Sequence, residues 1–263
     1  MTSAANQTLS PVAVQQHGGW QLLEFTEVTS TNTVAAPLAP WHAVRAATQT
    51  AGRGRFQRNW VSNAGGLWLS AVVPCGPTAE TARELPLLAG LAVADALLAL
   101  CVGPASGTTL RLRWPNDLLV GTRKLAGLLV DQFQPGRAVV GIGVNVSNNP
   151  SASDATLAGH AVALAELLAP APAPALHELA GRILDALRAT LETRAAAGMA
   201  ALTPRINALW DGPRPVRLDL DGPLVTGDFL GVDSSGRLQL RLPTGGTQFF
   251  EPHQVRLLRE LQT

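Results

Sequence analysis

The stretch TLRLRWPNDLLVGTRKLAGLLVDQFQPGRAVVGIGVN, residues 109–145, decides the fold. Thr109–Trp114 alternates as a strand does, and Pro115 stops it. Leu118–Val120 and Lys124–Phe133 flank Gly121-Thr122, which reads as a hairpin turn. Gln134-Pro135-Gly136 then sends the chain back into Ala138–Val146. Strands joined by turns this short pair antiparallel.

Upstream, Trp20–Val28, Val44–Thr48 and Trp68–Val73 read as further strands, the last stopped by Pro74. Thr29–Thr33 is a polar turn fit to start a helix, and Thr81–Leu100 carries apolar residues at the helical period. Downstream, Ala161–Leu168 is a short helix, Leu176–Arg194 a long one with Leu179, Ile183, Leu187 and Leu191 on one face, and Ile206–Trp210 closes the block. The expected class is α+β: a mixed, largely antiparallel sheet covered by helices on one side. After Asp211-Gly212-Pro213 come only short strands: Val216–Leu220, Leu224–Val232, Leu238–Leu242 and Gln248–Glu251. These suggest a small β-barrel. About 50 residues is marginal for independent stability, so the barrel is expected to pack on the main domain. The organisation read from sequence is a flexible tail over 1–18, a main domain over 19–211 and a barrel over 212–263.

Composition removes several function classes. The 263 residues carry a net charge of +1, which gives no bulk attraction to nucleic acid or an anionic membrane. No run approaches the roughly 20 apolar residues of a membrane span, and residues 1–18 lack the plan of a secretion signal. Cys75 and Cys101 cannot build a disulfide framework, so a reducing, cytoplasmic setting is expected. Of the 20 basic residues, 19 are arginine and one is Lys124. Where arginine serves for every other cation, the surviving lysine either marks a place where a compact ammonium is needed or escaped the exchange by chance.

Four constellations carry chemistry. Gly52-Arg53-Gly54-Arg55-Phe56-Gln57-Arg58-Asn59-Trp60 offers backbone N–H groups and guanidinium forks to phosphate or carboxylate, with Trp60 able to stack on a flat heterocycle. The same loop could instead contact a nucleic-acid backbone. Arg113-Trp114-Pro115-Asn116-Asp117 ends a strand with an amide and a carboxylate suited to phosphate and Mg²⁺, and Lys124 returns toward it across the hairpin. Gly141-Ile142-Gly143-Val144-Asn145 places alternate glycines in a strand, either for a flat ligand or for a crowded crossing of sheet and helix. Ser30-Thr31-Asn32 and Gln49 could hold a neutral polar ring. The five histidines fall in none of these motifs.

Taken in order, Ser30-Thr31-Asn32, Gln49-Thr50-Ala51-Gly52-Arg53-Gly54-Arg55 with Arg58 and Trp60, Trp114-Pro115-Asn116-Asp117, Lys124-Leu125-Ala126-Gly127 and Gly141–Asn145 resemble the biotin protein ligase family. The resemblance covers about residues 20–150. More weakly, Gly231–Leu238 is similar to that family's SH3-like barrel. The resemblance implies a two-step enzyme. Biotin and Mg-ATP give biotinyl-5′-AMP and pyrophosphate, and the biotinyl group then passes to a lysine of a biotin carboxyl carrier domain. It implies that Ser30, Thr31, Gln49, Gly52 and Arg53 belong to the biotin site, with the Arg53 backbone on the ureido ring and Gly127 and Gly141 lining the slot. Arg55 and Arg58 would meet phosphate, Trp60 would pack near adenine, and Asn116 and Asn145 would contact the nucleotide. Lys124 would bridge the biotin carboxylate and the α-phosphate, with Arg55 as the second catalytic cation. Asp117 would contact Mg²⁺.

Those roles fit the physics, because a carboxylate approaching a polyanion needs one cation aimed at both. Family members often carry Lys at Arg113 and Glu at Asp131, both like-charge exchanges. Only about 19 residues precede Trp20, too few for the winged-helix domain of some relatives, so no DNA-binding function is expected. The resemblance leaves monomer and homodimer both open. A lipoate–protein ligase is the neighbouring alternative. A nucleic-acid-binding module using Arg53–Arg58 is the alternative from another class, disfavoured by the net charge and the lack of an aromatic strand platform.

Overall fold

The computed structural model describes residues 10–76, 79–100 and 109–261. Strands β1 (Ala13–His17), β2 (Trp20–Val28), β3 (His42–Gln49), β4 (Leu67–Pro74), β5 (Leu110–Arg113), β6 (Asp117–Val120), β7 (Arg123–Gln134) and β8 (Arg137–Val144) form one sheet, ordered β1-β2-β3-β4-β8-β7-β6-β5. Only β2 and β3 run parallel, because helix α1 (Thr31–Ala35) carries the chain across between them. The quoted stretch supplies the antiparallel half, β5 to β8, as its short turns require.

Strand alternation sorts side chains between two faces. On β8, Ala138, Val140, Ile142 and Val144 point into the main core with helices α2 (Ala79–Leu98) and α4 (Leu176–Ala197). Val139 joins a second, smaller core with Ala35, Val44, Ala46 and Val72. Gly141 and Gly143 share that second face. The sheet is therefore not covered on one side only. Helices α2, α4 and α5 (Thr203–Ala208) cover one face, and α1 covers part of the other. What α1 leaves uncovered is the floor of a cavity. Helix α3 (Leu164–Leu168) adds Leu164 to the main core.

Two sequence expectations are corrected. The tail over 1–18 is not wholly flexible, since β1 pairs with β2 in register from Ala13↔Glu24 to His17↔Trp20. Its His17 ring lies 2.9 Å from Asp185 on α4. β1 is an edge strand with little burial, so it lacks the apolar periodicity that marks strands in sequence. The C-terminal unit is an open sheet, not a closed barrel. Strands β9 (Arg214–Asp219), β10 (Leu224–Val232), β11 (Leu238–Arg241), β12 (Thr247–Phe250) and β13 (Leu257–Glu260) run β12-β11-β10-β9-β13, with β12 and β13 as edges.

As expected from its size, this sheet does not stand alone. Its Val216, Leu218, Phe229 and Leu240 belong to the same apolar cluster as α2 and α4. Trp210 meets Phe229 edge-on at 4.0 Å. Arg111 on β5 is nearly buried and pairs with Glu260 on β13 at 2.8 Å. Among the described residues no helix is long and apolar enough to cross a membrane.

Candidate functional site

A cavity of about 390 Å³ opens on the face that α1 leaves bare. Every site residue expected from sequence lines it except Gly52, which lies behind the wall. Gly52 has no room for a side chain, because a Cβ would meet the Trp60 carbonyl and Ser62 Oγ.

Lys124 reaches this cavity through a β-bulge. Asp117 pairs with Gly127 and Leu118 with Ala126, but Leu119 then pairs with Lys124 rather than Leu125. Ala126 and Leu128 face the main core. Strict alternation would send Lys124 there too, and the extra residue Leu125 turns it to the other face. Its Nζ stands 2.6 Å from Asp117 Oδ1, an ion pair, and 4.8 Å from the centre of the Trp60 ring. Asp117 Oδ2 accepts from Arg113 Nη2 at 2.6 Å. Burial pushes the Asp117 carboxyl up, but Lys124 and then Arg113 outweigh it and hold the group below its ordinary value. Both oxygens of the expected magnesium contact are thus taken by cations. Among the described residues, no group of three His, Cys, Asp or Glu side chains is placed to hold a metal. Among the described residues, Asp117 is held by its two cations and has no further carboxylate or imidazole cluster beside it to cage a magnesium ion.

The alternating glycines are explained by the protein's own side chains. A Cβ on Gly143 would lie 2.8 Å from the Trp60 indole, and one on Gly127 2.8 Å from the same ring. A Cβ on Gly141 would lie 2.5 Å from Asn32 Oδ1. Trp60 fills the space over Gly127 and Gly143, and Asn32 the space over Gly141, while all three glycines also line the cavity. Trp60 meets Trp68 edge-on at 6.4 Å, and its buried Nε1 has no hydrogen-bond partner among the described residues. A buried unpaired donor in a cavity wall awaits an acceptor.

The floor is a chain of neutral polar groups. Gln49 Oε1 accepts from the Thr31 N–H at 2.8 Å, and Gln49 Nε2 donates to Ser62 Oγ at 2.8 Å. Ser70, fully buried on β4, lies between Thr31 Oγ1 and Asn32 Oδ1. Sequence reading missed Ser70, since one serine in an apolar strand carries no motif. Asn116 and Asn145, expected on the nucleotide, also brace the hairpin. Asn116 Nδ2 donates to Leu128 O at 2.7 Å, and Asn145 Nδ2 to Lys124 O at 3.2 Å.

The arginine loop forms the lid side. Gly54 N donates to Arg58 O at 2.8 Å and Trp60 N to Gly52 O at 2.9 Å, closing a small hairpin. Its tip holds Phe56 and Gln57 at φ 56° and 58°, two successive non-glycine residues in the left-handed region. Arg55 does not point freely at the cavity. Its Nη2 donates to Pro252 O at 2.6 Å and Val255 O at 3.0 Å, tying the loop to the C-terminal sheet. Burial lowers its pKa, opposed by Asp117 and assisted by Arg58, though a guanidinium stays charged at neutral pH. Arg58 lines the cavity and is exposed, with no ion pair among the described residues. Arg256, Leu257 and Leu258 add a wall from the far end of the chain. His160, assigned no role from sequence, also lines the cavity, and its carbonyl accepts from Lys124 N at 2.8 Å.

Residues 22–149 match the family model for the biotin/lipoate A/B protein ligase family, and residues 214–259 match the biotin protein ligase C-terminal domain. A biotin–[acetyl-CoA-carboxylase] ligase of Mycobacterium tuberculosis is 36% identical over 200 residues, covering 73% of this chain and 70% of that protein. The chain belongs to the biotin/lipoate A/B protein ligase family. A biotin–[acetyl-CoA-carboxylase] ligase of Paracoccus denitrificans is 41% identical over 133 residues, 47% of this chain. That match spans about half, 53%, of the Paracoccus protein. The biotin protein ligase of Aquifex aeolicus, solved with biotin and ATP, superposes with a TM-score of 0.79 over 91% of this chain and 99% of that one. At 24% identity that likeness speaks for the fold. As a member of this ligase family, the chain carries the family's two matched regions on its two sheets.

Proposed function

We propose that the protein is a biotin–protein ligase. The biotin carboxylate attacks the α-phosphorus of ATP, pyrophosphate leaves, and biotinyl-5′-AMP forms. An acceptor lysine amine then attacks the acyl carbon and AMP leaves. The acceptor is the biotin carboxyl carrier domain of a carboxylase.

The observation that carries the reading is the placement of the chain's one lysine. Lys124 stands in a single cavity between a neutral polar floor and an arginine-bearing loop. The floor, Thr31 and Gln49, suits a cyclic urea, whose ring offers N–H donors and a carbonyl. The dithiolane ring of lipoate offers neither, which favours biotin within this family. Asp117, itself held by Arg113, fixes the position of the Lys124 amine. An ammonium has three donors. One faces Asp117, and the other two remain for the biotin carboxylate and an α-phosphate oxygen. That geometry lowers the repulsion between the two anionic reactants without reorganisation at the moment of reaction. Arg58 is free to meet the outgoing phosphates. The Trp60 ring would border the adenine, and its unpaired Nε1 would find an acceptor on the bound intermediate. With no cluster of ligand side chains among the described residues to cage it, magnesium would travel with the nucleotide.

The test is to mix the purified protein with labelled biotin, ATP and a carrier domain. Label on the carrier's lysine, dependent on ATP, is expected. Absence of label with a carrier that a known ligase modifies would refute the assignment.

A further inference from the structure

We propose that Asp131, Asn32 and Ser70 form a relay that fixes Thr31 Oγ1 as a hydrogen-bond acceptor, selecting a ligand ring that presents an N–H. The inference deepens the biotin reading and rests on it.

The protons available fix the direction of each contact. An ionised carboxylate can only accept. Asn32 Nδ2 lies 2.9 Å from Asp131 Oδ2 and 3.5 Å from Leu129 O, both acceptors, so the amide nitrogen must face them. The amide oxygen Oδ1 is then turned to Ser70 Oγ, 2.6 Å away. An amide oxygen has no proton to give, so the Ser70 hydroxyl donates to Asn32.

Thr31 Oγ1 lies 2.7 Å from Ser70 Oγ and 3.1 Å from Gln49 Oε1. Ser70 and Thr31 together own two hydroxyl protons for three oxygen–oxygen contacts. The two shortest contacts take them. An oxygen pair at 2.6 or 2.7 Å without a proton is repulsive, whereas the 3.1 Å contact tolerates the lack. Gln49 Oε1 already receives the Thr31 N–H at 2.8 Å. Thr31 therefore gives its proton to Ser70 and keeps only lone pairs for the cavity it lines.

Two further features fit. Arg53 Nη2 stands 3.8 Å from Asp131 Oδ2, placing a cation beside the carboxylate at the start of the chain of directions. Gly141 has no side chain where a Cβ would strike Asn32, so the amide can lie flat on β8. Ser70 is completely buried and does not line the cavity. It is a positioning residue, as are Asn32 and Asp131.

The experiment compares wild type, Ser70→Ala, Asp131→Asn and Asp131→Glu in biotin-dependent exchange of labelled pyrophosphate into ATP, with biotin binding measured by calorimetry. Ser70→Ala removes the hub. Asp131→Asn lets the Asn32 amide turn over. Each is expected to raise the biotin KM and Kd about tenfold, the worth of one hydrogen bond of this kind, and to move the ATP KM less than about twofold. Asp131→Glu, which keeps an acceptor-only group, is expected to recover most of the biotin affinity. Should Ser70→Ala fail to fold, the two Asp131 variants still decide. Unchanged biotin binding in the variants overturns the relay and leaves the ligase reading standing. KM values for biotin and ATP that rise together with a lowered melting temperature also overturn it, as a merely structural effect. A wild-type protein that neither binds biotin nor exchanges pyrophosphate overturns both.

Discussion

Replacing Lys124 by methionine separates the two halves of the reaction. The ammonium and Asp117 Oδ1 are 2.6 Å apart, an attraction of about 6 kcal/mol at an effective dielectric near 20. That attraction pins the amine in the cavity. Removing it does not strand the carboxylate, because Arg113 still holds Asp117 Oδ2 at 2.6 Å. The charge of this cluster (Arg113, Lys124 and Asp117) falls from +1 to zero, and the two anionic reactants meet unassisted. One preorganised contact of this kind contributes about 2.7–4 kcal/mol to the barrier, or roughly 10²–10³ in rate. The assay is biotin-dependent pyrophosphate exchange, run beside transfer to a carrier from supplied biotinyl-5′-AMP. Exchange should fall by about 10²–10³, and transfer by less than about tenfold, since the like charges are already joined in the intermediate. Lys124→Arg should lose at least about tenfold in exchange. A Cβ on Gly127 would lie 2.9 Å from Lys124 Cε, so the slot has no width there for a planar fork. Exchange by Lys124→Met within a few-fold of wild type, or equal losses in both half-reactions, would show that Lys124 does not join the two anionic reactants.

Gly143→Ala should push the Trp60 indole off β8, since the new Cβ would sit 2.8 Å from the ring. A rise in the nucleotide KM with a smaller change in the biotin KM checks it. Arg55→Met frees the carbonyls of Pro252 and Val255. A loss of about 1.5–3 kcal/mol is expected, read as a melting temperature lower by roughly 5 °C, with a raised ATP KM. Asp117 has a folded pKa below its ordinary 3.8, so its stabilisation is fully present above that pH and is lost as the pH falls through the folded value. The melting-temperature deficit of Asp117→Asn should therefore hold steady from about pH 8 to 5 and shrink below about 3.8.

The antiparallel half of the sheet was legible because Pro115, Gly121-Thr122 and Gln134–Gly136 punctuate it with turn chemistry that needs no tertiary help. Lys124 stood out by composition, yet the reason it faces the cavity was not legible. A bulge at Leu118/Leu119 depends on cross-strand register, which one strand's residues do not encode. The alternating glycines were recognised as a close approach, but the approaching group, Trp60, arrives from a distant loop. The tie from Arg55 to the C-terminal sheet spans about 200 residues and has no local signal. Ser70 and the carboxylate of Asp131 were hidden for another reason. Their role lies in the direction of shared protons, and only the distances among five side chains fix that.

The most direct measurement is a crystal structure of the protein with biotinyl-5′-AMP bound. Lys124 Nζ should then lie within about 3 Å of both the acyl oxygen and an α-phosphate oxygen, the spacing of a charge-assisted hydrogen bond. An intermediate bound in the cavity with that amine facing solvent, touching neither group, would contradict it.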